Sequence, residues 1–400
     1  MSTVAIIAEY NPFHNGHLYH LKESKRISGA DHAIAIMSGN FVQRGEPAIL
    51  PKLRRAEYAV RFGLDIVFEM PVRYSTASAQ DFAYAGVEMI NSLGIADYIS
   101  FGAETNDIDI IRKISDCLTN ETASFKLALN DFLKEGNSYP KARSLALAEE
   151  FGEEYADIMS QPNNILAIEY LSALTKLDSR VKPIVIPRKG AAHDSSMTKN
   201  IFASAKYIRD TIQTADNNDI SSYVPYDINE ADKFVFSNDI ETLINHELLN
   251  LQSELSDNGQ KLNNILDLNS DLINRIQKLN LPLSYSELIE ELKSKNITHT
   301  RLCRTLLHIL LGIENIKDNI YCPYATLLAF RKDASHMFRS INDSSDIRII
   351  NKRSSFEPAN EYEAKLYKYD CYATDIYNLL YYSKTKVHLP NELSSNIAII

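Results

Sequence analysis

His14 and His17 stand three residues apart in the segment Asn11-Pro12-Phe13-His14-Asn15-Gly16-His17. Residues at i and i+3 share one helix face, and a helix N-terminus presents free backbone N–H groups and a partial positive charge. Two imidazoles placed there make a seat for a triphosphate. Gly16 between them lets a flat base or ribose approach the backbone, and Asn11-Pro12 forms the turn into the helix. Neither GxxxxGK[ST] nor GxGxxG occurs, so the phosphate-binding candidate is the histidine motif.

The surrounding pattern supplies elements to hold such a motif. Apolar runs at Thr3–Ala8, His32–Met37, Leu64–Glu69, Tyr98–Phe101 and Val181–Ile186 read as strands. Helical periodicity at Gly16–Ile27, Arg54–Phe62, Ala79–Leu93 and Asn163–Thr175 reads as helices. Strands alternating with helices predict an α/β fold, a Rossmann-like parallel sheet covered on both faces, with ligands at the strand C-termini. The histidine motif follows the first strand and opens the first helix, at that edge.

Beyond about Asp210 the pattern changes. Thr214–Asn238 is polar and acidic and contains Pro225. Leu243–Leu255, Leu262–Leu279, Tyr285–Ser294, His299–Leu311 and Pro358–Tyr382 carry helical spacing. The expected division is a nucleotide-binding domain over 1–213, a linker over 214–240 and a mainly α-helical domain over 241–400.

At 400 residues, with 45% hydrophobic and 24% charged residues, the chain is long enough for two globular cores. There is no apolar run of about 18 residues, and MSTVAIIAEYNPFHNG lacks the basic start and cleavage site of a secretory signal. Cys117, Cys303, Cys322 and Cys371 form no CxxC pair, which predicts buried thiols in a reducing cytoplasm. A net charge of −10 argues against general polyanion binding, but a local basic face is compatible with it.

The segment Ser204-Ala205-Lys206-Tyr207-Ile208-Arg209, with the HxGH motif before it, resembles the HxGH nucleotidylyltransferase superfamily, whose late signature reads SSTxIR. Ser204, Ile208 and Arg209 match; Ala205 and Lys206 depart. Further segments point to one branch: Ile7–His20, Ser38-Gly39-Asn40-Phe41-Val42-Gln43-Arg44-Gly45-Glu46-Pro47-Ala48, Phe101–Glu104, Pro162–Leu171 and Arg188–Asp194. Over about residues 1–210 the chain resembles the bacterial tRNA(Met) cytidine acetate ligase family, and more loosely beyond, at Thr300–Arg304 and Thr374–Tyr377.

That resemblance implies activation of acetate by ATP as acetyl-adenylate, then acetylation of N4 of the wobble cytidine of elongator tRNA(Met). It implies ATP contacts from Ile7, Ala8, Glu9, Tyr10, Asn11, Pro12, Phe13, His14, Asn15, Gly16, His17, Leu18, Tyr19 and His20, and from Gly102, Arg188 and one of Asn163 and Asn164. Read from the residues alone, Gly102 sits where adenine could lie close, Asn163 and Asn164 are both N-cap candidates, and Arg188 offers a forked cation to phosphate. His14 and His17 are expected to stabilise the inner phosphates, with Ser204, Arg209 and Arg188 on the outer ones. Magnesium is expected to accompany ATP, although no carboxylate cluster stands out as its ligand set. Expected partners are the tRNA and acetate, with no membrane and no protein partner.

A tRNA-binding enzyme needs concentrated positive charge. The candidates are Lys52, Arg54, Arg55 and Arg61; Lys199, Lys206 and Arg209; and Arg301, Arg304, Arg331, Lys332, Arg339, Arg348, Lys352 and Arg353. Two other readings remain open at this point: a nucleotidyltransferase that joins a nucleotide to a phosphorylated metabolite, and a non-catalytic nucleotide-binding scaffold.

Overall fold

The computed structural model describes residues 2–188, 201–214, 220–227, 233–256, 264–295, 297–316 and 321–400. Lys189–Asp194 and Lys199, named above, lie outside them.

The predicted α/β sheet is present. Its strands are β1 (Thr3–Ala8), β2 (His32–Ser38), β5 (Ile66–Met70), β6 (Tyr98–Ala103), β7 (Lys182–Pro187), β8 (Tyr324–Phe330), β9 (Arg348–Ile350) and β10 (Ala398–Ile399). The short strands β3 (Phe41–Val42) and β4 (Glu46–Pro47) form a separate hairpin. The sheet runs β10-β8-β5-β2-β1-β6-β7, with β9 also on β8. Strands β5, β2, β1, β6 and β7 pair in parallel; β8 joins β5 antiparallel. From β1 the chain steps outward to β2 and β5, then crosses back to β6 on the other side of β1. That reversal opens a crevice above the C-terminal ends of β1 and β6, where α/β sheets bind ligands.

Burial on both faces explains why these strands are continuous apolar runs: Ala33–Ser38 and Ile66–Met70 are buried throughout. Four helices beyond those predicted, Ile108–Asn120, Ala123–Lys134, Tyr139–Phe151 and Glu153–Met159, precede Pro162–Lys176.

The second half is less separate than its helical pattern implied. Helices Glu241–Ser256, Ser270–Ile276, Tyr285–Leu292, His299–Leu311 and Glu361–Thr385 are present. However, β8, β9 and β10 enter the same sheet as β1, and Leu328 and Ala329 share a core with Val4 and Ile6. The described part of 214–240 is packed as well. Tyr223 O accepts the N–H of Asn15 at 2.9 Å, and Tyr226 stacks on Tyr58 at 3.8 Å.

Candidate functional site

The end of β1 leads into a turn in which Tyr10 takes a positive φ of 48°, a region that disfavours most side chains and so marks a position held by its surroundings. Tyr10 and Phe13 are buried beneath it, 5.0 Å apart. Asn11 Oδ1 accepts the N–H of Ile49 at 2.8 Å. His14 then caps the helix Asn15–Ser28, its Nδ1 accepting the N–H of Gly16 at 3.0 Å. His17 Nδ1 accepts the backbone N–H of His14 at 3.3 Å, and the two rings stack 3.8 Å apart.

This geometry sets the protonation of both rings. An Nδ1 that accepts an N–H carries no proton, so the proton of each neutral imidazole is on Nε2. Burial, then the charges of Arg188 and Arg209, push His14 down to about 3. Burial, then His14, His20 and Arg188, hold His17 well below its ordinary value. Two neutral Nε2–H donors therefore stand at a helix N-terminus whose own N–H groups add positive potential.

Gly16 has a reason other than ligand approach. A Cβ there would sit 2.7 Å from His14 Cε1, so glycine is what lets the imidazole fold onto the helix start. At Gly102 a Cβ would meet nothing nearer than 3.5 Å. There it would make ordinary contact with Arg188 Cγ, so the fold itself does not demand glycine at the end of β6.

The two asparagines differ in their bonds. Neither caps the helix, since the N-cap is Gln161. Asn164 is buried, and its Oδ1 accepts the N–H groups of Glu104 at 2.9 Å and Thr105 at 3.1 Å. Asn163 is only half-buried; its amide donates to Glu104, and its Oδ1 accepts from Arg188 Nη1 at 3.3 Å. Asn163 with Arg188 faces outward beside Gly102, while Asn164 holds the loop after β6.

Ser204 caps the helix Ala205–Gln213 through Tyr207 N–H at 3.1 Å. Arg209 Nη1 donates to Asn11 O at 2.8 Å, which ties that helix to the histidine turn. Other members of Ile7–His20 are turned to packing. Ile7 lies against helix Ala79–Leu93 at Gly86. Asn15 donates to Ile201 O and Ser222 O, and Tyr19 packs on Phe202. Ala8 and Leu18 join the apolar core. His20, pushed down to about 4 by burial and Arg188, bonds Ser100 on β6 at 3.0 Å.

The structure also corrects the basic set. Lys52 Nζ is buried between Glu69 at 2.8 Å and Glu392 at 2.5 Å. Arg55, fully buried, donates to Leu50 O at 3.0 Å and Ser38 O at 3.2 Å. Arg304 pairs with Asp267 at 3.0 Å, and Arg353 with Glu392 at 2.7 Å. These cations hold the fold and are not free for phosphate. Arg44, in the turn of the β3–β4 hairpin, is exposed instead, a placement that the motif alone did not reveal. The cysteines are free, three of them buried. Among the described residues no helix is long and apolar enough to cross a membrane.

A parallel sheet whose switch point carries an HxGH helix cap is the architecture of a nucleotidyl-transferring enzyme. Consistent with this, the family model HIGH Nucleotidyl Transferase matches residues 1–391. A relative named tRNA(Met) cytidine acetate ligase, from Thermoanaerobacter sp. (strain X514), is 40% identical over 385 residues, covering 95% of this chain and 96% of its own. One of the same name from Clostridium perfringens (strain SM101 / Type A) is 38% identical over 402 residues, covering 95% and 96%. The crystal structure of Thermotoga maritima TmcAL bound with alpha-thio ATP superposes with a TM-score of 0.88 at 26% identity, covering all of both chains. The chain belongs to the tRNA(Met) cytidine acetate ligases, within the HIGH nucleotidyl transferases.

Proposed function

We infer that the chain is an ATP-dependent ligase that activates acetate as acetyl-adenylate and acetylates N4 of the wobble cytidine of elongator tRNA(Met). The observation that carries this reading is the stacked His14–His17 pair, with two neutral Nε2–H donors at the switch point.

ATP lies with its adenine over Gly102 and its ribose near Asn163. An acetate oxygen attacks the α-phosphorus and pyrophosphate leaves. Negative charge grows on the phosphoryl oxygens and the leaving group, and preorganised donors lower the barrier most where charge grows. His14 and His17 donate to the inner phosphates without themselves changing protonation. Arg188, Arg209 and Ser204 serve the outer ones. No nucleophilic enzyme side chain is needed. Among the described residues no group of three His, Cys, Asp or Glu could hold a metal ion. Magnesium accompanying ATP would supply charge neutralisation at the phosphates.

Incubation with labelled ATP, acetate and total tRNA tests the reading. Acetate-dependent pyrophosphate release together with N4-acetylcytidine in tRNA(Met) is the expected result. Nucleotide transfer to a small phosphorylated metabolite without acetate would overturn it.

A further inference from the structure

Glu9 follows β1 directly, at the switch point. Its backbone carbonyl accepts from Arg55, the buried guanidinium that also grips the Ser38, Gly39 and Leu50 carbonyls. Its Oε1 accepts the backbone N–H of Gln43 at 3.0 Å. Among the described residues Oε2 has no hydrogen-bond partner, and no cation lies within ion-pair distance of the carboxylate. The side chain is half-buried, so it is fixed at one oxygen and approachable at the other.

The charged and titratable groups around it come from four elements. Arg44 and Glu46 face it from the β3–β4 hairpin, Arg209 from helix Ala205–Gln213, Tyr170 from helix Pro162–Lys176 and Arg55 from helix Lys52–Arg61. Arg209 is engaged by Asn11 O at 2.8 Å and lies 4.0 Å from Glu46. A rigid carboxylate with a free oxygen is an acceptor only. It repels acetate and phosphate, the anionic substrates of the first step. What it recognises is an N–H donor, and glutamate accepting from the N4 amine is the pairing that selects cytosine.

Resting on the ligase reading above, we propose that Glu9 is a catalytic residue of the acyl-transfer step, its Oε2 accepting a hydrogen bond from the exocyclic amine of the acceptor cytosine and removing its proton as that nitrogen attacks. The bond from N4 to the acetyl carbonyl carbon forms. The bond from that carbon to the adenylate phosphate oxygen breaks, and AMP leaves with the electron pair. The amine proton passes to Glu9 and on to solvent. The amine lone pair is delocalised into the ring, so attack is slow unless its proton is removed in the same step. Burial, outweighing Arg44 and Arg209, raises the carboxyl above its ordinary 4.5 and makes it a stronger base. Arg44, Glu46 and Arg209, the charged neighbours of Glu9, also line a cavity of about 250 Å³ with Lys206, Phe236 and His299, which sets cations for an RNA backbone close to the carboxylate.

The test separates the two half-reactions in the full-length protein. Glu9→Gln keeps the shape and removes the base. Transfer from preformed acetyl-adenylate to tRNA(Met) should fall by about 100-fold or more, the usual share of general-base catalysis. That fall should exceed any change in acetate-dependent pyrophosphate release at least tenfold. Wild-type transfer should rise with pH as Glu9 ionises, and Glu9→Gln should lack that limb; Glu9→Asp should restore part of both. A cooperative thermal melt of the ligand-free protein and native circular dichroism check that each variant is folded. Wild-type transfer by folded Glu9→Gln overturns the proposal, as does an equal loss of both half-reactions. A wild-type protein that releases no pyrophosphate with acetate overturns the ligase reading instead.

Discussion

His17 Nδ1 accepts the backbone N–H of His14 at 3.3 Å, so the second histidine of the motif fixes the turn that presents the first. His17→Ala removes a phosphate donor and this tether together. Loss of one preorganised donor costs about 100- to 1,000-fold in rate, so pyrophosphate release should fall at least that far while circular dichroism stays native. Near-normal release from a folded variant would remove His17 from the chemistry.

The buried histidines also set a pH dependence of stability. His14 and His20 titrate at about 3 and about 4 when folded, against 6.5 ordinarily. Between those values the unfolded chain binds more protons, so stability rises with pH across this window and levels off above it. The urea midpoint should drop as pH falls from 7 to 5, and His20→Gln should flatten the drop. A midpoint independent of pH would contradict the neutral assignment.

Gly102 separates ligand from fold. A Cβ there would meet nothing nearer than 3.5 Å, so Gly102→Val should fold with a melting temperature close to wild type. If adenine occupies the space above β6, the same variant should raise the Kd for ATP tenfold or more by calorimetry. Unchanged ATP affinity would move the nucleotide elsewhere.

Much of the sheet was legible because strands buried on both faces are apolar runs between helices of clear periodicity. Tyr324–Phe330 is such a run too, but with no flanking βα rhythm it could not be told from a buried helix segment. Strands β9 and β10 span three and two residues, too short for any period. The place of the site was legible in local motifs, since the fold sets the His14–His17 turn and Gly102 at the C-terminal ends of β1 and β6. The site was not legible where burial decides. Lys52, Arg55, Arg304 and Arg353 look like solvent-facing cations in sequence, and their carboxylate and carbonyl partners come from distant segments. Only the fold shows that Asn163 is turned outward and Asn164 inward.

For Lys52 such burial couples the two halves of the chain. Its Nζ joins Glu69 to Glu392, with Thr374 Oγ1 at 3.2 Å. Lys52→Met leaves two buried carboxylates with less compensation. Breaking a buried pair costs about 3–5 kcal/mol, which should appear as a large fall in the denaturation midpoint. A stable variant with weakened tRNA binding would restore Lys52 to the RNA face.

The RNA face is better sought at the exposed cations beside the site. Arg44 and Lys206 are exposed and line the cavity that Arg209 shares, so phosphates flanking the acceptor base would meet them first. Each contact to a single strand adds about 0.7 to the slope of log affinity against log salt. Neutralising both, as Arg44→Gln with Lys206→Gln, should raise the tRNA(Met) Kd and flatten that slope by about 1.4. Such a change across tRNAs of different sequence would mark the contacts as phosphate contacts, since backbone charge carries no sequence information. An unaltered slope would shift the docking surface to the exposed Lys332, Arg339 and Lys352 of the C-terminal half.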